Sequence, residues 1–231
     1  MAPLTTTLSR GSIVEAAVDI TRTEGLAAVT MRAVATRFTV TPMALYRYVA
    51  DRDELIRLTA DRIGALIRPA PAASWQDQVR AWAHAQRSVL RAHPGLAAWL
   101  MDNGPAGPEA YRLLESLARA FADAGLDDAH VVRGTAQVMS WTFSRVAIED
   151  AADARHRAGR PGRTRAFLAG LDQIDPNSHP TAARIGPALF TLPMSELFES
   201  GLDSIIASLA AADPHPGPQN PPGTASGEAP G

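Results

Sequence analysis

The chain has 231 residues, a formal net charge of −2, 46% apolar residues and only 6% aromatic ones. That length accommodates one small and one medium-sized domain, and that apolar share is enough for a buried core. The absence of cysteine excludes disulfides and thiolate-ligated metal sites, and no apolar run approaches the roughly 20 residues that cross a bilayer.

The first informative elements lie in residues 25–55. Thr30 is placed to cap a helix running through Met31, Arg32, Ala33, Val34, Ala35, Thr36, Arg37 and Phe38. Thr41 is placed to cap the next helix, with Pro42 at its first position, where a missing N–H costs nothing. This second helix is expected to hold about seven residues, roughly 10 Å of length. That is short for a core helix and suits the major groove of DNA. At about 100° per residue, Leu45 and Val49 share one side, where Val34, Phe38 and Val40 complete a small core. Met43, Ala44 and Arg47 fall opposite, edged by Tyr46 and Tyr48, an arrangement suited to base edges at the centre and phosphates at the flanks. The bland alternative is a helical hairpin with solvated arginines. The helix lengths, caps and aromatic pair favour the groove reader.

Asp51 is read as capping a linking helix that runs to about Arg68, where Pro69-Ala70-Pro71 breaks it. Ser74 opens a helix from Trp75 to about Ala92, and a shorter one spans 94–101. After the loop 103–108, helices are expected over 108–124 and over about 126–153, the latter capped by Asp127 or Asp128. Residues 155–165 carry five arginines with Gly159, Pro161 and Gly162, read as a flexible solvated loop rather than a second phosphate-binding patch. Poorly defined helices fall at 164–173 or 180–191, and a clearer one at 193–212. The tail, 213–231, holds six prolines and four glycines and cannot bury enough surface to order itself. The expected class is all-α. A DNA-binding head (1–50) is followed by the linking helix (51–68), a body (69–212) and the tail.

Charge follows this division. Residues 1–68 hold nine arginines against seven acids, giving +2, and residues 69–231 hold thirteen against seventeen, giving −4. A mildly basic head on an acidic body suits a DNA reader. Residues 1–10 contain no hydrophobic signal core, so a cytoplasmic location is expected, with no membrane partner.

The stretch Thr30-Met31-Arg32-x-Val34-Ala35, Val40-Thr41-x-x-Ala44-Leu45-Tyr46-Arg47-Tyr48-Val49 and Asp51-Arg52-Asp53-Glu54-Leu55 resembles the DNA-binding domain of the tetracycline-repressor family. Upstream, Ser9-Arg10-x-x-Ile13-Val14-x-Ala16-Ala17 is similar to that family's first helix, with Ser12 and Glu15 able to form a capping box. One position departs: Thr39 stands where the family's turn usually has glycine. In left-handed backbone a β-branched residue costs on the order of 1–2 kcal/mol. The DNA-contacting set expected from residues and resemblance together is Thr30, Met31, Arg32, Thr41, Pro42, Met43, Ala44, Tyr46, Arg47, Tyr48 and Arg52. Arg47 is the expected reader of a base.

The body resembles the ligand-binding domain of the tetracycline repressor's own branch through Ser74-Trp75-Gln76, His93-Pro94 and Phe198-Glu199-x-Gly201-Leu202-Asp203. The resemblance implies a homodimer joined through 127–153 and 193–212, and a small-molecule pocket under the linking helix. At the family's drug-contacting positions this chain has Gly64, Trp82, Gln86, Leu100 and Leu117, the magnesium-binding His has no counterpart, and only Glu149 matches. Magnesium–tetracycline is therefore not the expected effector, and no cofactor is expected. The expected lining is mostly apolar, from Trp82, Trp99, Leu113, Leu117, Met139 and Trp141. Gln86, Asn103, Gln137 and Arg145 are expected to supply hydrogen bonds.

The six histidines are scattered without metal-ligand spacing, and no nucleophile, phosphate loop or carboxylate pair suggests catalysis. The leading expectation is a ligand-responsive repressor that binds a palindromic operator. An enzyme with a helical head and a ligand-independent DNA-binding protein are the alternatives.

Overall fold

The computed structural model describes residues 7–211, and the expected tail lies outside them. Eleven helices and one 3-10 turn are present among the described residues, with no strand.

The head begins with α1 (Arg10–Glu24). Its cap is Ser9 rather than the expected Ser12–Glu15 box. Ser9 Oγ accepts from Ser12 N, and Ser12 Oγ accepts from Ser9 N. The helix starts one residue after Ser9, so Ser12 occupies the third helical position, and Glu15 instead pairs with Arg62. A 3-10 turn (Leu26–Ala28) leads into α2 (Met31–Arg37) and α3 (Pro42–Leu45). Ile13, Ala17 and Ile20 of α1 pack with Val34, Leu45 and Val49 in one buried cluster.

The linking helix α4 (Arg52–Gly64) is capped by Asp51, whose Oδ1 accepts from Glu54 N at 2.8 Å. It stops short of the expected Arg68. The backbone turns at 65–67, and Arg112 Nη2 donates to the freed carbonyls of Gly64 and Ile67. Leu55, Ile56 and Ile63 of α4 are buried in the head's cluster, which continues into the body through Leu90, Leu96 and Val146.

The body comprises α5 (Trp75–Arg91), α6 (Leu96–Asn103), α7 (Pro108–Ala122), α8 (Asp128–Arg157), α9 (Arg163–Leu171), α10 (Pro180–Thr191) and α11 (Met194–Ala210). The 30-residue α8 is the central post, and α5, α6, α7 and α11 all pack on it. Its N-terminus is capped by Asp127, which accepts from His130 N. A second core joins Val79 and Trp82, Leu117 and Phe121, Val138, and Phe198 with Leu202 and Ile206. Close helix approach needs small residues here: a Cβ on Gly201 would lie 2.1 Å from Trp141 Cζ2.

Two expectations are corrected in the second half. The arginine-rich 155–165 is not all loop: α8 runs on to Arg157 and α9 begins at Arg163. Both α9 and α10 form, packed on each other, with Phe167 and Phe190 stacked at 4.5 Å.

Candidate nucleic-acid interface and cavity

The turn between α2 and α3 is built as a Schellman motif. Val40 N donates to Ala35 O at 3.2 Å, and Thr39 N to Thr36 O at 3.3 Å. Such a turn requires left-handed backbone at the residue after the cap, and Thr39 has φ 57°. The helix-turn-helix geometry is thus made without glycine. Thr30 caps α2, accepting from Ala33 N at 3.0 Å. Thr41 holds the N-cap position of α3 but makes no capping hydrogen bond. The α-helical part of α3 is four residues rather than the expected seven, because 46–48 continue as turns: Tyr48 N and Val49 N both donate to Leu45 O.

Burial sorts this segment as the face arithmetic requires. Leu45 and Val49 are buried, while Met43 is 74% and Tyr46 49% exposed. Thr30, Arg32, Thr41, Pro42 and Arg47 are exposed, and Ala44 and Tyr48 are half-buried. The arginines sort by partner. Arg10, Arg22, Arg37 and Arg62 pair with carboxylates. Among the described residues, Arg32 and Arg47 have no such partner and face water from α2 and from the turn after α3. Two expected contacts change. Met31 is buried in the head's core, so the first side chain of α2 packs inward rather than standing on the exposed face. Arg52 Nε donates to Val29 O at 2.9 Å, which ties α4 to the loop before α2 and leaves only the terminal nitrogens for a phosphate.

A cavity of about 110 Å³ lies at the seam between the two cores. Ala60, Ile63, Gly64 and Ile67 close it from α4 and the turn that follows, Trp82, Gln86 and Leu90 from α5, and Leu96 and Leu100 from α6. Leu113 and Leu114 of α7, Met139 and Phe143 of α8, and the loop 104–106 complete it. The wall is apolar with one exception. Trp82 Nε1 is satisfied by Leu113 O at 2.9 Å. Gln86 is only 3% exposed, and its amide has no hydrogen-bond partner among the described residues. The amide is not sealed off from the cavity it lines, so a polar atom bound there can pair with it.

Behind this wall, α8 is clamped to the loop after α5. Glu149 is held by Arg87 and Arg91, and Asp150 accepts from Arg91 and, at 2.9 Å, from Gly95 N. Burial disfavours the Arg91 cation, but its bonds to Asp153 and Asp150 outweigh that and raise its pKa. The same loop reaches the head: Leu26 N donates to Pro94 O at 2.9 Å. This pair of bonds delays α6 to Leu96, two residues later than the expected start.

Known proteins with this arrangement identify its kind. The profile described as bacterial regulatory proteins, tetR family, matches residues 13–58, and that described as tetracyclin repressor-like, C-terminal domain, matches residues 68–212. The chain belongs to the tetracycline-repressor family. It is similar to an HTH-type transcriptional regulator of Saccharopolyspora erythraea, 29% identical over 206 residues that cover 88% of this chain and 85% of that protein. It is also similar to the HTH-type transcriptional repressor DrrR1 of Streptomyces coeruleorubidus, 34% identical over 54% of this chain and 48% of that one. Among solved structures, ActR of Streptomyces coelicolor in complex with actinorhodin superposes with TM-score 0.78 at 27% identity, covering 93% of this chain and 99% of that one. This tetracycline-repressor family chain is accordingly a DNA-binding regulator of transcription.

Four of the ten expected ligand residues line the cavity: Trp82, Gln86, Leu113 and Met139. The others are elsewhere. Trp99 packs against the head's core, and Asn103 is exposed with its amide on Trp99 O. Leu117 is fully buried in the second core, and Gln137 faces water. Trp141 and Arg145 lie two residues, about 200°, around α8 from Met139 and Phe143. Trp141 donates to Phe198 O instead. Glu149, matched to a family position, is neutralised by its two arginines and is not part of the cavity wall. Gly64 and Leu100, placed by the family comparison, do line it. Leu90, Leu96 and Phe143 carried no signal beyond apolar periodicity.

Proposed function

We propose that this regulator is a repressor that binds a two-fold-symmetric operator as a homodimer and releases it when a mostly apolar small molecule enters the cavity. The observation that carries the effector reading is the single unpaired amide of Gln86 in an otherwise apolar wall. It favours a ligand with a large apolar surface and one hydrogen-bonding atom. At about 110 Å³ the cavity is smaller than the roughly 300–1,000 Å³ usual for drug-sized ligands. A larger effector must therefore push its walls apart. Leu100 and Met139 are half-buried and can move. Displacing α6 would pull on Pro94, which is hydrogen-bonded to the head. Magnesium–tetracycline does not suit this wall, which offers no imidazole or carboxylate to a coordinated cation.

On DNA, Arg47 is the proposed base reader, with Met43 and Ala44 beside it. Thr30, Arg32, Thr41, Pro42, Tyr46, Tyr48 and the terminal nitrogens of Arg52 lie at the flanks toward phosphates. The dimer would join α8 and α11. In support, their outward faces carry small residues, Ala136 and Ser140 on one and Ser204 and Ser208 on the other, which permit close helix approach. Exposed Val132 adds apolar area to the same helix.

The test is release of bound DNA by a panel of apolar compounds, with and without EDTA. Release that is insensitive to EDTA and weakened by Gln86→Leu is expected. A hundredfold loss of DNA affinity requires the effector to favour the DNA-free state by about 2.7 kcal/mol. Release by magnesium–tetracycline alone, abolished by EDTA, would overturn the cavity reading.

A further inference from the structure

Among the described residues, Arg145 is buried without a counter-charge. Its side chain is 8% exposed, and its Nε is buried with no hydrogen-bond partner. Its one polar contact runs from Nη2 to the sulfur of Met194 at 2.8 Å. A thioether is a weak acceptor, so a guanidinium taken out of water receives little in return. Glu149, one turn along α8, is already held by Arg87 and Arg91. Met194 is also the first residue of α11, a 17-residue helix with no side-chain cap. The first-turn amides of α11 thus lack a side-chain cap, and the residue that opens that turn is the one whose sulfur touches the guanidinium. The indole of Trp141 lies 5.5 Å from the guanidinium and supplies a flat apolar wall.

We propose that Arg145 and the N-terminus of α11 form a site for the carboxylate of an apolar organic acid, separate from the cavity. The planar fork of arginine matches a carboxylate, the free amides favour an anion, and Trp141 favours an apolar body behind it. Met194 covers the site. It is 42% exposed and flexible, so an incoming carboxylate can displace it. Glu196, in the same turn, opposes an anion but is exposed, where water and salt screen it. Because α8 turns its Arg145 side away from Phe143 and the cavity, this site does not depend on the Gln86 reading.

Titration of the full chain with benzoate at constant ionic strength, followed by tryptophan fluorescence and by calorimetry, tests the proposal. Benzamide serves as the neutral isostere and inorganic phosphate as the plain anion. A saturable response to benzoate is expected, absent with benzamide and weakened about tenfold or more by Arg145→Gln. Met194→Ala should tighten it severalfold by removing the cover, and Trp141→Phe should remove the optical signal while the heat persists. An equal response to benzamide, or a response to phosphate as strong as to benzoate (an adventitious anion site only), would overturn the proposal. So would unchanged benzoate binding by folded Arg145→Gln. If that variant dissociates a dimer while benzoate binding is unchanged, the guanidinium serves a second copy and the proposal is wrong. Should Arg145→Gln fail to fold, Met194→Ala decides, and unchanged affinity there is equally fatal.

Discussion

Thr39 shows how a single residue can be read from sequence for its conformation and still leave its consequence open. The Schellman bonds fix its left-handed φ, and a β-branched side chain there costs on the order of 1–2 kcal/mol, whereas glycine would cost roughly 0.5–1 kcal/mol in lost chain entropy. The strain exceeds the entropy term. Thr39→Gly should therefore stabilise the protein by about 0.5–1 kcal/mol, visible as a higher melting temperature. An unchanged or lower one would mean that the threonine is relieved of strain. Other residues were legible in proportion to how local their environment is. The caps Thr30, Asp51 and Ser74 depend on the next three residues and could be read directly, while for α8 the reading left Asp127 and Asp128 open and the cap is Asp127. Met31 and Arg52 were not, because whether a side chain points at DNA or at Val29 O depends on the angle at which α1 and α4 cross the head.

At the scale of elements, long helices with strong apolar periodicity were found to within a few residues, and α5 and α7 are examples. The failures sit where a tertiary bond sets the end. Arg112 bonds the carbonyls of Gly64 and Ile67 where α4 ends, and Asp150 and Leu26 hold the 94–95 peptide just before α6. The cavity was half legible for the same reason: Trp82 and Gln86 share a face of one helix, but its floor is the meeting line of two cores, which no helical wheel displays. The Asp150 clamp carries its own prediction. Asp150 is 7% exposed and satisfies both Arg91 and Gly95 N. Asp150→Ala should cost about 1–3 kcal/mol in urea denaturation, since it removes the acceptor of the Gly95 amide and weakens a partly buried ion cluster. Arg91 keeps Glu149 and Asp153, so the loss should not reach the top of that range. A loss below about 1 kcal/mol would show that the loop after α5 is held by packing alone.

The whole molecule is a head and a body that share one linking helix and, through Ile63, Leu96 and Val146, one core. A perturbation in the cavity wall therefore has a short packed route to the helices that would face DNA. The all-α class was legible because it follows from periodicity and caps. A homodimer was expected only through the family resemblance, since a single chain carries at most one half of such an interface. The central claim is that two copies read symmetric DNA through the short helix. It is tested most directly by selecting genomic DNA fragments on the purified protein and footprinting the winners, with sedimentation of the complex. One dimer on a two-fold-symmetric site is expected, with half-sites about 34–36 Å apart, and Arg47→Ala should weaken that site by about 1–3 kcal/mol while random DNA is little affected. A monomer on an asymmetric site, or equal weakening of selected and random DNA by Arg47→Ala, would contradict it.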